Sequence, residues 1–153
     1  MRSETTGELK AKPEPLSLQD LLDLYDPVKE QIEKRLAEFR HIWETASDEE
    51  LFRELVFCLL TPQSRARVCW RAVQRLERKC LITSGEPCQV QEELVGVRFN
   101  QRKAEYICLA RSMFCYRSLR TTLAGFSSHE AAREWLVENV KGLGYKEASH
   151  FLR

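Results

Sequence analysis

Apolar residues recur along this chain at three- and four-residue intervals and almost nowhere alternate, which predicts helices throughout. Leu16 to Leu24 reads as a short helix with Ser17 as its N-cap. Asp26-Pro27 opens the next, with proline at its first position, and the pattern runs to about Glu44, burying Val28, Ile32, Leu36, Phe39 and Trp43. Ser47-Asp48-Glu49-Glu50 caps a third helix carrying Leu51, Leu55, Val56, Cys58 and Leu59. This is the most hydrophobic stretch and the expected core helix. Thr61-Pro62-Gln63-Ser64 interrupts it, and Arg65 to Lys79 resumes with Val68, Cys69, Ala72, Val73 and Leu76 facing inward. Leu81 to Cys88 reads as a loop, and Gln89 to Leu94 as a short helix ended near Gly96. Arg98 to Tyr116 is a long helix with Ala104, Ile107, Cys108 and Ala110-Arg111 inside, and Ser118 to Ala124 is a weaker, short one.

The last stretch is the most informative. Ser127 with Glu130 three residues on forms a capping box for a helix over 128–140. Its inner face carries Ala131, Ala132, Trp135, Leu136 and Val140. Gly142-Leu143-Gly144 breaks it, and a second amphipathic pattern follows with Ala148, Phe151 and Leu152 inward. Both glycines permit positive φ and close approach of another backbone. Two readings are open. One is a helix-hairpin-helix whose backbone N–H groups face a phosphate; the other is an ordinary αα-turn with glycines at a C-cap. Lys146 bears on the choice, because it sits in the first turn of the second helix, where the helix dipole is positive and a cation is misplaced. With partial burial, the same field favours the neutral amine that a nucleophile must be; the other reading is an ordinary solvated surface lysine. The fold expected is all-α, with residues 1–15, polar and holding Pro13 and Pro15, as a mobile tail and 16–153 as one helical domain.

Composition narrows the function. A chain of 153 residues is long enough for one domain with a true core, and no apolar run approaches the length of a membrane span. No signal-peptide pattern opens it, so a soluble, cytoplasmic protein is expected. The net charge of +1 hides an asymmetry: residues 1–60 hold 8 basic and 14 acidic residues, 61–120 hold 12 and 5, and 121–153 hold 4 and 4. The middle third is either a polyanion-binding surface or a set of solvated arginines, Arg65, Arg67, Arg71, Arg75 and Arg78 sharing one helix face. The six cysteines form no C-x-x-C pair and no Cys/His zinc pattern, so no metal and no cofactor are expected. Cys58, Cys69 and Cys108 fall on apolar faces; Cys80 and Cys88 flank a loop, either as free thiols or as a disulfide.

The run from Val140 through Lys-Gly-Leu-Gly-Tyr-Lys-Glu-Ala-Ser-His-Phe-Leu to Arg153 resembles the helix-hairpin-helix of the DNA glycosylase superfamily that includes endonuclease III. More closely it is similar to the second, archaeal-type family of 8-oxoguanine DNA glycosylase/AP lyases. Glu54-Leu-Val-Phe-Cys-Leu-Leu-Thr-Pro-Gln-Ser-Arg-Ala and Gly96-Val-Arg-Phe-Asn-Gln-Arg-Lys-Ala-Glu-Tyr-Ile carry the same resemblance, which spans roughly Pro27 to Arg153.

The resemblance implies a helix-hairpin-helix glycosylase bundle, with the motif at 128–153, and base-excision repair of 8-oxoguanine in duplex DNA. The lysine matching Lys146 is the family's nucleophile, expected to form a Schiff base with the sugar and to cut the strand by β-elimination. Gly142, Gly144 and Lys141 would hold the DNA backbone without reading sequence. Gln63 would fill the space left by an extruded nucleotide; read from the residues alone, it serves equally as a glutamine bonded to a helix end. Arg98, Phe99, Asn100 and Lys103 stand in a family-like stretch, with base reading, phosphate contact and helix capping all open. His150, one turn after Lys146, reads as structural or as a neighbour of the site, and Trp43, Trp70 and Trp135 read as core residues ahead of base-stacking ones. The expected partner is double-stranded DNA containing a damaged base or an abasic site, bound by a monomer, with no membrane. One departure stands out: the family also uses an aspartate beyond the second helix, and the sequence stops at Arg153 before that point. The expectation is therefore an N-terminal portion of a glycosylase, its last helices missing and its activity reduced, with a non-catalytic DNA-binding module as the alternative.

Overall fold

The computed structural model describes residues 15–153, which part into two compact units after Ala37. The expected tail, 1–15, lies outside the described residues apart from Pro15. All regular structure among the described residues is helical.

In the first unit, α1 (Leu18–Tyr25) begins at Ser17 through a reciprocal cap. Ser17 N donates to Asp20 Oδ2 at 2.8 Å, and Asp20 N donates to Ser17 Oγ at 3.2 Å. A 3₁₀ turn, Asp26–Val28, holds Pro27 and leads into α2 (Lys29–Thr45). The stripe expected to be buried here is not. Val28 and Ile32 are 40% exposed and Leu36 50%, and Trp43 is exposed as well. Past the division, in the second unit, Phe39 near the end of α2 is half-buried, with the Arg153 guanidinium 4.4 Å from its ring centre. Periodicity marks an apolar face without naming what covers it, and among the described residues this one keeps contact with solvent.

The second unit is built on α3 (Asp48–Leu60), as expected of the most hydrophobic stretch. Ser47 and Glu50 cap each other at its start. Leu55, Val56 and Leu60 have no exposed surface, and burying each such side chain contributes about 1.5–3 kcal/mol. Around α3 pack α4 (Ala66–Arg78), α7 (Asn100–Phe114), α8 (Leu119–Ala124) and α10 (Tyr145–Phe151). Cys58 and Cys69 lie in this core as small apolar residues, and burial pushes the Cys58 thiol up to about 12.

The stretch read as a loop contains a short helix, α5 (Leu81–Ser84), and α6 (Pro87–Glu93) starts two residues earlier than the pattern suggests. The cause is distant in sequence. Arg111 on α7 donates to the carbonyls of Leu81 and Ile82 at 3.3 and 3.4 Å and of Gly85 at 2.6 Å, satisfying the end of α5. Arg75, expected on a solvent face, also turns back to the protein: its Nε and Nη2 donate to Glu93 O at 3.0 and 2.7 Å. Cys80 and Cys88 are exposed free thiols. Finally α9 (His129–Asn139) is capped by Ser128, not Ser127: Ala131 N donates to Ser128 Oγ at 3.1 Å. Ser128 has the extended backbone an N-cap requires, so the neighbouring serine is left outside the helix. No helix among the described residues is long and apolar enough to cross a membrane.

Candidate functional site

The chain turns from α9 into α10 at Val140–Gly144. Leu143 N donates to Val140 O at 3.1 Å, closing the turn, and Leu143 itself is buried beneath it. Gly142 carries the positive φ, +93°. A Cβ there would stand 2.2 Å from Cδ2 of Tyr106 on α7, so glycine is required twice, by backbone and by space. Gly144 differs from expectation. Its φ is −97°, it is the N-cap of α10, and a Cβ on it would meet only Glu147 Oε2, at 3.0 Å. As an N-cap without a side chain it leaves the first-turn N–H groups of α10 without a capping acceptor from its own residue.

Lys146 lies in that first turn, as the spacing predicts, but the partial burial expected for it is not found: it is exposed, as are Lys141 and Gly142. It stands on the outer side of α10, opposite Ala148, which is fully buried against the bundle. The hairpin is clasped from both sides. Tyr145 Oη donates to Glu134 Oε2 on α9 at 2.8 Å, with the Arg133 guanidinium 5.7 Å from the Tyr145 ring centre. On the other side Lys141 Nζ lies 5.9 Å from the ring centre of Tyr106. The backbone turn thus presents two exposed ammonium groups, Lys141 and Lys146, flanking its exposed glycine.

A second chain reversal, Thr61–Ser64, joins α3 to α4. Gln63 is exposed at its tip with φ +54°, a conformation that costs a non-glycine residue about 1–3 kcal/mol. The same holds at Phe99, φ +57° and exposed, just before α7. Between the two left-handed residues sits Lys103, the only charged residue among the described ones that is buried in the core, at 4% exposure. Its Nζ donates to Leu60 O at 2.8 Å, Pro62 O at 2.7 Å and Ser64 Oγ at 3.2 Å. Ser64 Oγ also accepts from Arg98 N at 3.0 Å. Of the three roles left open for Lys103, helix capping is the one these bonds fit, though not at its own helix. Lys103 closes the C-terminus of a different helix, α3, where a cation meets the negative end of the dipole. Its position four residues before inward-facing Ile107 is the signal that places it on the buried face. Burial, before any neighbouring charge, lowers its pKa below the ordinary lysine value, with Glu147 among the charges acting the other way.

The Glu147 carboxylate, in the first turn of α10, acts electrostatically on Lys103, on Cys58 in α3 and on His150 one turn further along α10. His150 is half-buried against Phe57, ring centres 6.4 Å apart, and Phe57 meets Trp70 edge to face at 5.7 Å. Trp70 is 38% exposed, so it borders the core instead of lying inside it; Trp135 packs on Phe114 and Phe126. Arg65, Arg67 and Arg71 on the outer face of α4 are exposed.

The family profile described as 8-oxoguanine DNA glycosylase matches residues 32–153. The chain belongs to the 8-oxoguanine DNA glycosylase family. Among relatives, the 8-oxoguanine DNA glycosylase/AP lyase of Korarchaeum cryptofilum is 44% identical over 126 residues, which cover 82% of this chain and 58% of that protein. The enzyme of the same name from Fusobacterium nucleatum is 38% identical over 133 residues, 85% of this chain and 61% of that protein. The chain therefore spans about three fifths of the length of the curated relatives it matches. The fold agrees: the crystal structure of the Methanocaldococcus jannaschii 8-oxoguanine DNA glycosylase superposes with a TM-score of 0.77 at 36% identity, covering 88% of this chain and 61% of that one. The Methanocaldococcus jannaschii enzyme in complex with a 15mer DNA containing 8-oxoguanine gives 0.76 at 35% identity, with 88% and 63% covered. The all-α, helix-hairpin-helix bundle expected of the family is the fold this chain adopts.

Proposed function

We propose that this chain carries the lysine chemistry of a bifunctional 8-oxoguanine DNA glycosylase/AP lyase, with Lys146 as nucleophile and residues 16–153 serving as one glycosylase domain. The supporting observation is the pairing, in a member of this family, of an exposed hairpin with an exposed amine in the turn that follows it. The backbone of Gly142 and Gly144 meets a DNA phosphate, which carries no sequence information, and Lys141 adds a cation beside it. Arg65, Arg67 and Arg71 extend the basic surface, while Arg75, spent on Glu93, does not. Gln63, held out from its turn, enters the duplex where the damaged nucleotide leaves the stack, and exposed Phe99 offers an apolar ring on the neighbouring turn.

The reaction then runs on one amine. Neutral Lys146 Nζ attacks C1′ of the extruded nucleotide; the bond from C1′ to the base breaks, and the base leaves with the electron pair and is protonated. The sugar ring opens as the nitrogen lone pair forms the imine and O4′ takes up a proton. Loss of a C2′ proton expels the 3′ phosphate, which is the lyase step. On an abasic sugar the same amine condenses with the open aldehyde and loses water. A hydroxyl nucleophile has no second bond to give and forms no such imine. No metal or redox cofactor enters these steps. The setting proposed is cytoplasmic, with duplex DNA bearing a damaged base or an abasic site as the partner of a monomer.

Borohydride trapping tests the reading on two duplexes, one with 8-oxoguanine and one with an abasic site. The expected result is a covalent band that disappears in Lys146→Gln, while that variant keeps duplex affinity within about threefold, having lost one phosphate-range charge of several. Trapping on the abasic duplex alone means that base excision needs more than these residues. No band on either, from a chain folded by circular dichroism, overturns the lyase assignment and leaves a DNA-binding module.

A further inference from the structure

We infer that Lys103 is a positioning residue for DNA engagement: its buried ammonium fixes the left-handed backbone that makes Gln63 project from the protein. The inference rests on the reading of Gln63 as the residue that enters the duplex, and it adds a residue that touches no DNA. Every contact of the Lys103 Nζ goes to the turn that carries Gln63 or to the carbonyl that enters it. It bonds the carbonyl before the turn, Leu60 O, and the carbonyl next to Gln63, Pro62 O, at 2.8 and 2.7 Å. It also bonds the hydroxyl just after Gln63, Ser64 Oγ, at 3.2 Å. A buried ammonium is tolerated only when its donors are met, and here all three are met by residues 39 to 43 positions away in sequence. The geometry therefore runs in both directions. The turn satisfies the lysine, and the lysine forbids the turn the extended or right-handed backbone that glutamine prefers.

Ser64 shares the work. Its Oγ receives both Lys103 Nζ and Arg98 N, so the same knot ties the segment before Phe99 to the segment after Gln63. Two exposed left-handed residues from separate stretches of the sequence are thus tied to one internal cation, Gln63 directly and Phe99 through Ser64 and Arg98. Removing the cation frees both, although neither would lose a surface contact of its own.

The test compares the chain with Lys103→Met, Ser64→Ala and Gln63→Ala. Without DNA, nuclear magnetic resonance reads the Gln63 backbone through the strong amide-to-Hα cross-relaxation that a positive φ produces. With DNA, a 2-aminopurine placed beside an abasic site reports unstacking as the duplex is entered. Lys103→Met is expected to lose the positive-φ signature at Gln63 and to drop the fluorescence response to that of Gln63→Ala. Combining the two substitutions is expected to add nothing further, because both remove one action. Ser64→Ala, which keeps the lysine and both carbonyls, is expected to give a partial loss of the same two signals, and it serves as the decisive variant where Lys103→Met does not fold. A retained positive-φ signature and full fluorescence response in Lys103→Met overturn the inference, as do unchanged signals in Ser64→Ala beside an unfolded Lys103→Met. If the backbone signature is lost but Gln63→Ala itself leaves the fluorescence response intact, the reading of Gln63 as the entering residue fails while the positioning by Lys103 stands.

Discussion

Two reversals, Val140–Gly144 and Thr61–Ser64, solve the same problem with opposite means. Each redirects the chain between two helices in a few residues, and each needs one residue at positive φ. At the hairpin that residue is Gly142, for which +93° carries no steric penalty, and the absent side chain admits the ring of Tyr106. At the other turn it is Gln63, at +54°, where the penalty is accepted and countered by a buried lysine from α7. The hairpin's functional part is its backbone, so a side chain is dispensable. The second turn is proposed to act through the side chain it presents, so a glycine would defeat it. The difference teaches that a strained non-glycine residue with a dedicated internal support deserves to be read as a presented group.

The sharpest break in the comparison is Gly142→Ala. Its Cβ would meet the Tyr106 ring at 2.2 Å and its φ would be left-handed, so a loss of about 2–4 kcal/mol in urea unfolding is expected, with duplex binding falling in step. Gly144→Ala is the control. Its φ is ordinary, and its Cβ meets only the end of the flexible Glu147 side chain, so a change within about 1 kcal/mol is expected. Equal losses at the two positions would mean that the hairpin is held by something other than the space beneath Gly142.

A smaller effect of opposite sign is expected at the other turn. Gln63→Gly removes the left-handed strain but frees the unfolded chain, so stability should rise by no more than about 1 kcal/mol. Lesion engagement should fall, because the projecting amide is gone. A loss of stability instead would show that the Gln63 side chain supports the fold, as a glutamine bonded to a helix end would.

This contrast also explains what was legible from sequence. Gly142, Lys146 and the helices around them are local: caps, spacing and glycine all act within one or two turns, and the pattern records them. Ser128 in place of Ser127 is an error of one residue between two adequate caps. Arg75 misleads because a basic residue looks solvated until its acceptor is known, and it finds a carbonyl 18 residues away. Lys103 is the same case carried further, since its acceptors lie on another helix end. The exposed stripe of Val28, Ile32 and Leu36 errs in the other direction: amphipathicity was correct and the assumed cover was not.

The smallest expected effect lies between the two reversals, at His150. Burial is the first cause that lowers its pKa from 6.5, followed by the charges of Arg153 and Lys146, with Glu147 opposing them. A histidine with a lowered folded pKa binds fewer protons folded than unfolded, so below 6.5 the unfolded chain takes up the extra proton and unfolding is favoured. Stability should therefore decline as pH falls from 6.5 through the lowered folded value, and hold steady above it. His150→Gln removes the titration, and the two proteins' urea midpoints should diverge only on the acid side of 6.5. The carboxylates of Asp48 and Glu50, whose pKa values are lowered by the hydroxyl and backbone bonds of Ser118, Arg120 and Ser47, act at still lower pH and equally in both proteins. Parallel midpoints across the whole range would mean that His150 binds its proton alike in the folded and unfolded chain, with the Glu147 charge offsetting the burial of its ring beside Phe57.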